Sequence, residues 1–250
     1  MNATSSIDDP AKRRARPVLQ PGRAGFTVDM VSPAEPALAV ALREWDWMAR
    51  RLLARGAVAA QTRHHLEDSR RVVGELARVL AGDEPGEGTP EHRSVFVARQ
   101  RGCIQAAASL FASPRAVFVE LVATAPWNLL GPADPPDARA VRGAGTALVR
   151  HASDWSLATG RGGRVSLQAE NPRCRAYYER LGFERMAAAD LPYTLVPRGP
   201  RGFSEPVRRV AEGREGPEEQ RSPWMLLDPE RALLRSGRVA RLPAPRGSGA

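Results

Sequence analysis

The sequence predicts an α/β protein whose strands and helices follow one another in the order β-α-α-β-β-β-α-β-α-β-β. Three observations carry this. Apolar residues recur at helical spacing in separate stretches, for example Leu148, Ala152 and Trp155 at i, i+4 and i+7. Between such stretches lie short strand-like runs, and one of them, Ala116 to Ala125, is apolar on both faces as a central strand should be. The later helices also open on recognisable start signals, a glycine loop at Gly143-Ala144-Gly145 and Asn171-Pro172.

Residues 1 to about 24 are small, polar and basic without periodicity, and read as a disordered arm. Phe26, Val28 and Met30 alternate with less apolar neighbours, which indicates a first strand. Ser32-Pro33-Ala34-Glu35 matches a capping box with proline at the first helical position. Leu38, Leu42, Trp45, Met48 and Leu52 then form one stripe, which Gly56 ends, with Trp45 and Trp47 read as core and rim packing. A second helix carries Leu66, Val72, Leu76 and Val79 and stops at Gly82. Asp83 to Pro90 is a loop. Ser94 to Ala98 and Cys103 to Ala106 are strands around the turn Arg99-Gln100-Arg101-Gly102.

After the central strand, Pro126 to Ala140 is a proline-rich connection, long for a strand-to-helix link. Arg164 to Ala169 is a strand. The next helix has Asn171 as N-cap, Pro172 at N1 and Gly182 at C′. Phe183 to Met186 and Tyr193 to Val196 are expected to close the sheet. Beyond Pro197 the composition turns to Arg, Gly, Pro and Glu. Within it, Trp224-Met225-Leu226-Leu227 followed by Asp228-Pro229-Glu230 reads as an apolar anchor and a capped short helix, suited to dock on the domain or on a second subunit. The expected organisation is an arm over 1–24, one domain over 25–197, and an extension over 198–250 with its island near 222–235.

At 250 residues the chain can bury a full core. It has no run of eighteen apolar residues and no apolar signal core near Met1, so a cytoplasmic protein without a membrane span is expected. The net charge of +9 rests almost wholly on arginine, since Lys12 is the sole lysine. That pattern fits a solvated exterior better than a nucleic-acid site, while still attracting anionic ligands. Cys103 and Cys174 stand far apart and fit reduced thiols. His64, His65, His92 and His151 have no metal-ligand spacing, and no metal is expected.

Val141-Arg142-Gly143-Ala144-Gly145-Thr146-Ala147 describes a loop tightening into a helix start. A first helical turn has free N–H groups at the positive end of the macrodipole. Glycines let an anion approach that backbone closely, so the loop is a candidate pyrophosphate cradle. Arg142-x-x-Gly145-x-Ala147 resembles the Arg/Gln-x-x-Gly-x-Gly/Ala signature of the GNAT N-acetyltransferase superfamily. Asn171, then Ala-Tyr-Tyr-Glu-Arg-Leu-Gly-Phe over 176–183, looks like the second signature of that family. The two occur in order and about thirty residues apart, over a likeness spanning roughly residues 25 to 197.

The resemblance implies the GNAT fold, a mixed twisted sheet of about seven strands flanked by four helices. It implies acetyl-CoA as co-substrate and acetyl transfer to a primary amine of a small molecule, peptide or protein by direct attack in a ternary complex. The pantetheine arm would pair with the backbone of Val122, Ala123, Thr124 and Ala125. The pyrophosphate would sit on the amides of Arg142, Gly143, Ala144, Gly145, Thr146 and Ala147, with a charge-assisted bond from Arg142. Asn171 aligns with a position that contacts the cofactor arm, although a plain N-cap role is compatible with that. Tyr178 matches the tyrosine beside the cofactor sulfur, whose phenol, protonated at neutral pH, serves as general acid.

Glu120 is the one ionisable side chain in the apolar central strand, and a buried carboxylate is usually paired or functional. The family draws its general base from this strand, so Glu120 is the candidate base, with an arginine partner as the alternative. The long Pro126 to Ala140 connection departs from the family pattern and reshapes the acceptor side. Nothing in the sequence names the acceptor, and a homodimer is compatible with it. Two other readings stand beside the enzyme: a non-catalytic acyl-CoA-binding sensor or interaction module, and a nucleic-acid binder using the arginine-rich tail.

Overall fold

The computed structural model describes residues 25–56, 58–81, 93–187, 190 and 223–235. The expected N-terminal arm, the Asp83 to Pro90 loop, the Tyr193 to Val196 strand and most of the C-terminal extension lie outside the described residues. The elements are β1 (Thr27–Val31), α1 (Pro36–Arg55), α2 (Ala60–Ala81), β2 (Arg93–Gln100), β3 (Cys103–Ala112), β4 (Val117–Thr124), a 3-10 turn (Pro126–Asn128), α3 (Ala144–Ala158), β5 (Val165–Gln168), α4 (Pro172–Arg180), β6 (Glu184–Arg185), β7 (Trp224–Leu227) and α5 (Pro229–Arg235). The strands form one mixed sheet in the order β1-β2-β3-β4-β5-β7-β6. Neighbours are antiparallel except β4 and β5, which run parallel.

The sheet separates two cores. On one face Leu38, Leu42 and Trp45 of α1 and Val73 and Leu76 of α2 pack with Val95, Val97 and Ala107 of the strands. On the other, Leu148, Val149 and Ala152 of α3 meet Phe96, Ala108, Val119 and Leu167. Alternation along each strand delivers these two sets to opposite faces. Trp45 is buried, whereas Trp47 is exposed with the Arg51 guanidinium 5.1 Å from its ring centroid. The β2–β3 hairpin turns through Arg101 and Gly102, both at positive φ, as a two-residue turn demands.

Two expectations need correcting. Ser32 does not cap α1: its hydroxyl accepts from Ala34 N–H within a local turn, and the helix begins four residues later at Pro36. Proline fits that first position because it has no N–H to leave unpaired. More consequentially, the boundary at 197 cuts off a strand of the sheet. Trp224–Leu227 is a buried strand between β5 and β6, antiparallel to both. A four-residue apolar run bounded by Pro223 and Asp228 has no period from which strand and anchor could be told apart. Asp228 then caps α5, accepting from the N–H groups of Glu230 and Arg231.

The long connection is tied down from both ends. Buried Asp134 accepts from Gly131 N at 2.6 Å, Ala59 N at 2.8 Å and the Thr62 hydroxyl at 2.5 Å, pinning it over the α1–α2 junction. Burial pushes this carboxyl up, but the bonds from Thr62, Ala59 and Gly131 hold it below the ordinary aspartate value. A group lowered in the folded state stabilises above its unfolded pKa and loses that contribution as pH falls through the folded one. Urea unfolding followed from neutral pH into acid should therefore show an acid-labile component that is flattened in Asp134→Asn. An equally steep acid limb in that variant would assign the loss to other carboxylates.

Candidate active site

β4 and β5 pair along three positions, Val117 to Val119 against Val165 to Leu167, and then part. Two features open them. Glu120 is an extra residue in β4: Ser109 faces Leu121 while Leu110 faces Val119, so the register shifts there. A bulge of this kind bends its strand. On the other side β5 follows β7, and Ala169 N–H donates to Pro223 C=O at 3.0 Å. Past Val119 the parted strands bound a cavity, and farther along, at Val122 to Thr124, β4 borders a cleft of about 310 Å³.

Its lining brings together Val122, Ala123 and Thr124, the loop and helix start from Arg142 to Thr146, and Tyr178. Gly143 is the N-cap of α3 at φ 104°, a left-handed conformation that favours glycine. Ala147 N–H donates to Gly143 C=O at 2.9 Å, so that amide is already used within the helix. The amides of Ala144, Gly145 and Thr146 precede it and have no acceptor among the described residues, as expected for a first turn. Of the six amides the sequence suggested, that of Ala147 is thus spent within the helix. A Cβ on Gly145 would lie 3.5 Å from Thr124 Cγ2 and 4.0 Å from Val122 Cγ1, so larger side chains there would enter the space between α3 and β4.

The approach to this helix start is fixed by a network of side chains. Asn128 accepts from Val141 N–H at 2.7 Å and donates to Gln105 C=O and Gln105 Oε1 at 3.2 and 3.0 Å. Trp127 Nε1 donates to the same Oε1 at 2.9 Å, and Arg139 lies over the Trp127 ring at 3.9 Å. Arg142 donates to Leu130 C=O at 3.0 Å, which spans the connection. Asn128 lines the cleft, a role sequence reasoning missed because it depends on Gln105 from another strand.

The remaining candidates separate. Ala125 is buried with its N–H donated to Gln105 C=O, so it faces β3 and is absent from the lining. Asn171 is an N-cap, accepting from Cys174 N–H at 2.9 Å and donating to Asp68 of α2 at 3.2 Å. Tyr178 packs its ring against Phe183 and Tyr177, with centroids 5.5 and 5.1 Å away. Burial, then Cys174 and Tyr177, pushes its phenol far up, so it stays protonated. Glu120 accepts from Arg93 Nη2 at 2.9 Å and from the Ser109 hydroxyl at 2.7 Å. The Arg93 and Glu120 side chains are 7% and 10% exposed. Glu120 therefore has the arginine partner that was its alternative reading.

A second cavity of about 420 Å³ adjoins the first, sharing Val72, Val122, Glu170, Cys174 and Tyr178 with it. Arg71, Glu75 and Glu120 line this second cavity, whereas Asp68, Arg142, Arg173 and Arg180 line the first. Among the described residues no group of His, Cys, Asp and Glu could hold a metal ion, and no helix is long and apolar enough to cross a membrane.

Residues 135–183, from the end of the connection through the cradle and α4 to Phe183, match the Acetyltransferase (GNAT) family. The likeness is to that family and covers this stretch. The chain is similar to PaiA N-acetyltransferase from Thermoplasma acidophilum in complex with coenzyme A, at 10% identity and TM-score 0.41, covering 81% of this chain and 98% of that one. It is similar to an acetyltransferase from Streptococcus agalactiae at 11% identity and TM-score 0.43, covering 81% and 97%. It is also similar to N-acetylglutamate synthase from Neisseria gonorrhoeae complexed with coenzyme A and N-acetyl-glutamate, at 15% identity and TM-score 0.40. There it covers 82% of this chain and 35% of the synthase. No curated protein matches the chain. The matched stretch holds the start of α3 and Tyr178, whereas β4, the other wall of the cleft, lies before it.

Proposed function

We propose that this protein is an acetyl-CoA-dependent N-acetyltransferase acting on a primary amine of a small molecule, peptide or protein, by direct attack in a ternary complex. The observation that carries the reading is the meeting of two cavities at Tyr178. The first has an unpaired strand edge, a helix start with three unspent amides, and arginines. Those groups fit an extended amide-containing arm ending in a pyrophosphate. The glycine at 145 leaves the cradle open where a larger side chain would fill it. Acetyl-CoA would supply the acyl thioester.

The second cavity is left for the acceptor amine, with Glu75, Glu120 and Glu170 on its walls beside Arg71. In the transfer step the unprotonated amine forms the new C–N bond as the C–S bond breaks. Tyr178 donates its proton to the leaving sulfur, and the proton shed by the amine returns to solvent, which reprotonates the phenol. Glu120 receives no proton in this scheme, because its carboxylate is shared between Arg93 and Ser109.

Saturating acetyl-CoA should raise the melting temperature. A ligand at 100-fold over its Kd adds about 2.7 kcal/mol, which is roughly 5–11 °C for a domain of this size. Gly145→Glu should keep the fold, as judged by circular dichroism, and lose the shift, because bulk and negative charge enter the cradle. Gly145→Ala, whose Cβ meets ordinary contact distances, should retain it. A folded Gly145→Glu protein with an undiminished shift would rule out this cradle.

A further inference from the structure

Tyr177 precedes the acid candidate in sequence, yet its hydroxyl reaches a different place. It lies 2.8 Å from Thr146 Oγ1, in the first turn of α3. It also stands 3.8 Å from the point a Cβ on Gly145 would occupy. The phenol oxygen is therefore at the same helix start as the amides of Ala144, Gly145 and Thr146, and Tyr177 lines the same cleft. Two hydroxyls in one hydrogen bond use one proton between them and leave the other to donate elsewhere. Burial pushes this phenol up, against the bond from Thr146 and the charges of Arg150 and Arg180, so the proton is retained. Arg180 lies 6.0 Å from the Tyr177 ring centroid and lines the cleft as well.

The geometry points to Tyr177 as a further ligand-binding residue, its hydroxyl paired with that of Thr146 to extend the amide cradle by a side-chain donor to a phosphate oxygen. This rests on the acyl-CoA reading of the cleft. It divides the two adjacent tyrosines by task. Tyr178 serves the sulfur, and Tyr177 serves the phosphate end of the same ligand. Sequence reasoning passed over Tyr177 because adjacent helical residues point about a quarter-turn apart, and the motif's fixed position is Tyr178.

The test is calorimetric titration with coenzyme A, which reads binding without turnover, on wild type, Tyr177→Phe and Thr146→Val. Phenylalanine keeps the ring that packs against Tyr178 and Arg180. A lost hydrogen bond to a charged group should weaken coenzyme A binding roughly ten-fold or more. With S-acetylpantetheine as donor, which has no phosphate, kcat/KM should match wild type in the same variant. Wild-type affinity for coenzyme A in Tyr177→Phe overturns the inference while leaving the acyl-CoA reading intact. Equal losses with acetyl-CoA and S-acetylpantetheine overturn it as well, since the hydroxyl would then serve no phosphate. Absence of binding by wild type overturns the acyl-CoA reading itself. Should Tyr177→Phe fail to fold, Thr146→Val carries the test, and unchanged coenzyme A affinity there is the overturning result.

Discussion

Tyr178→Phe is expected to fold, bind coenzyme A as wild type does, and turn over roughly 10²–10⁴-fold more slowly, the usual scale of a lost general acid. The ring contacts with Phe183 and Tyr177 survive the change, so packing in α4 is preserved. The hydroxyl has no hydrogen-bond partner among the described residues, so its removal orphans no neighbour there. Affinity is expected to persist because the proposed phosphate and pantetheine contacts lie on α3, β4 and the Tyr177 hydroxyl, none of which the change removes. Steady-state kinetics together with a coenzyme A titration separate the outcomes. Lost affinity with unchanged turnover would make Tyr178 a binding residue. Full activity would mean that solvent protonates the sulfur and that the acid assignment is wrong.

The second large effect is on stability. Glu120→Ala should cost about 3–5 kcal/mol, because removing one partner of a buried ion pair leaves the other charge uncompensated. Arg93 is the charge left behind, 7% exposed, with its Nε already lacking a hydrogen-bond partner. The double variant Glu120→Ala/Arg93→Met should recover much of the loss, since an apolar replacement for a buried pair is often neutral. Urea unfolding of both single variants and the double variant measures the coupling. A catalytic carboxylate would show the reverse signature: near-native stability, with turnover lost mainly at lower pH. Wild-type stability in Glu120→Ala would return Glu120 to candidacy as the base.

Local pattern carried much of the fold. Leu38, Leu42 and Trp45 recur at helical spacing and are buried together on one face of α1. The glycine loop marked the start of α3, and Asn171-Pro172 marked the start of α4. What stayed hidden depends on residues distant in sequence. The Glu120 partner is 27 positions upstream on β2, and no spacing rule links them. Gln105 joins Trp127 and Asn128 only after β3 and the connection meet. Ser32 looked like a cap because the Ser-x-x-Glu pattern is short, and Pro36 offered an equally good start one turn later. The bulge that parts β4 from β5 left no mark at all, since one extra residue in an apolar run changes no composition.

The place of β7 in the sheet also bears on when the protein becomes whole. β6 has β7 as its strand neighbour, and the outer side of β5 is closed by the same four residues. Those residues follow β4 by about a hundred positions, so β1 to β4, α1, α2 and α3 are synthesised well before the strand that holds β5 in its final position. Until then β5 and β6 lack the strand that pairs with both among the described residues. A chain terminated anywhere from 198 to 222 would keep both sequence signatures intact and still lack the strand that draws β5 away from β4.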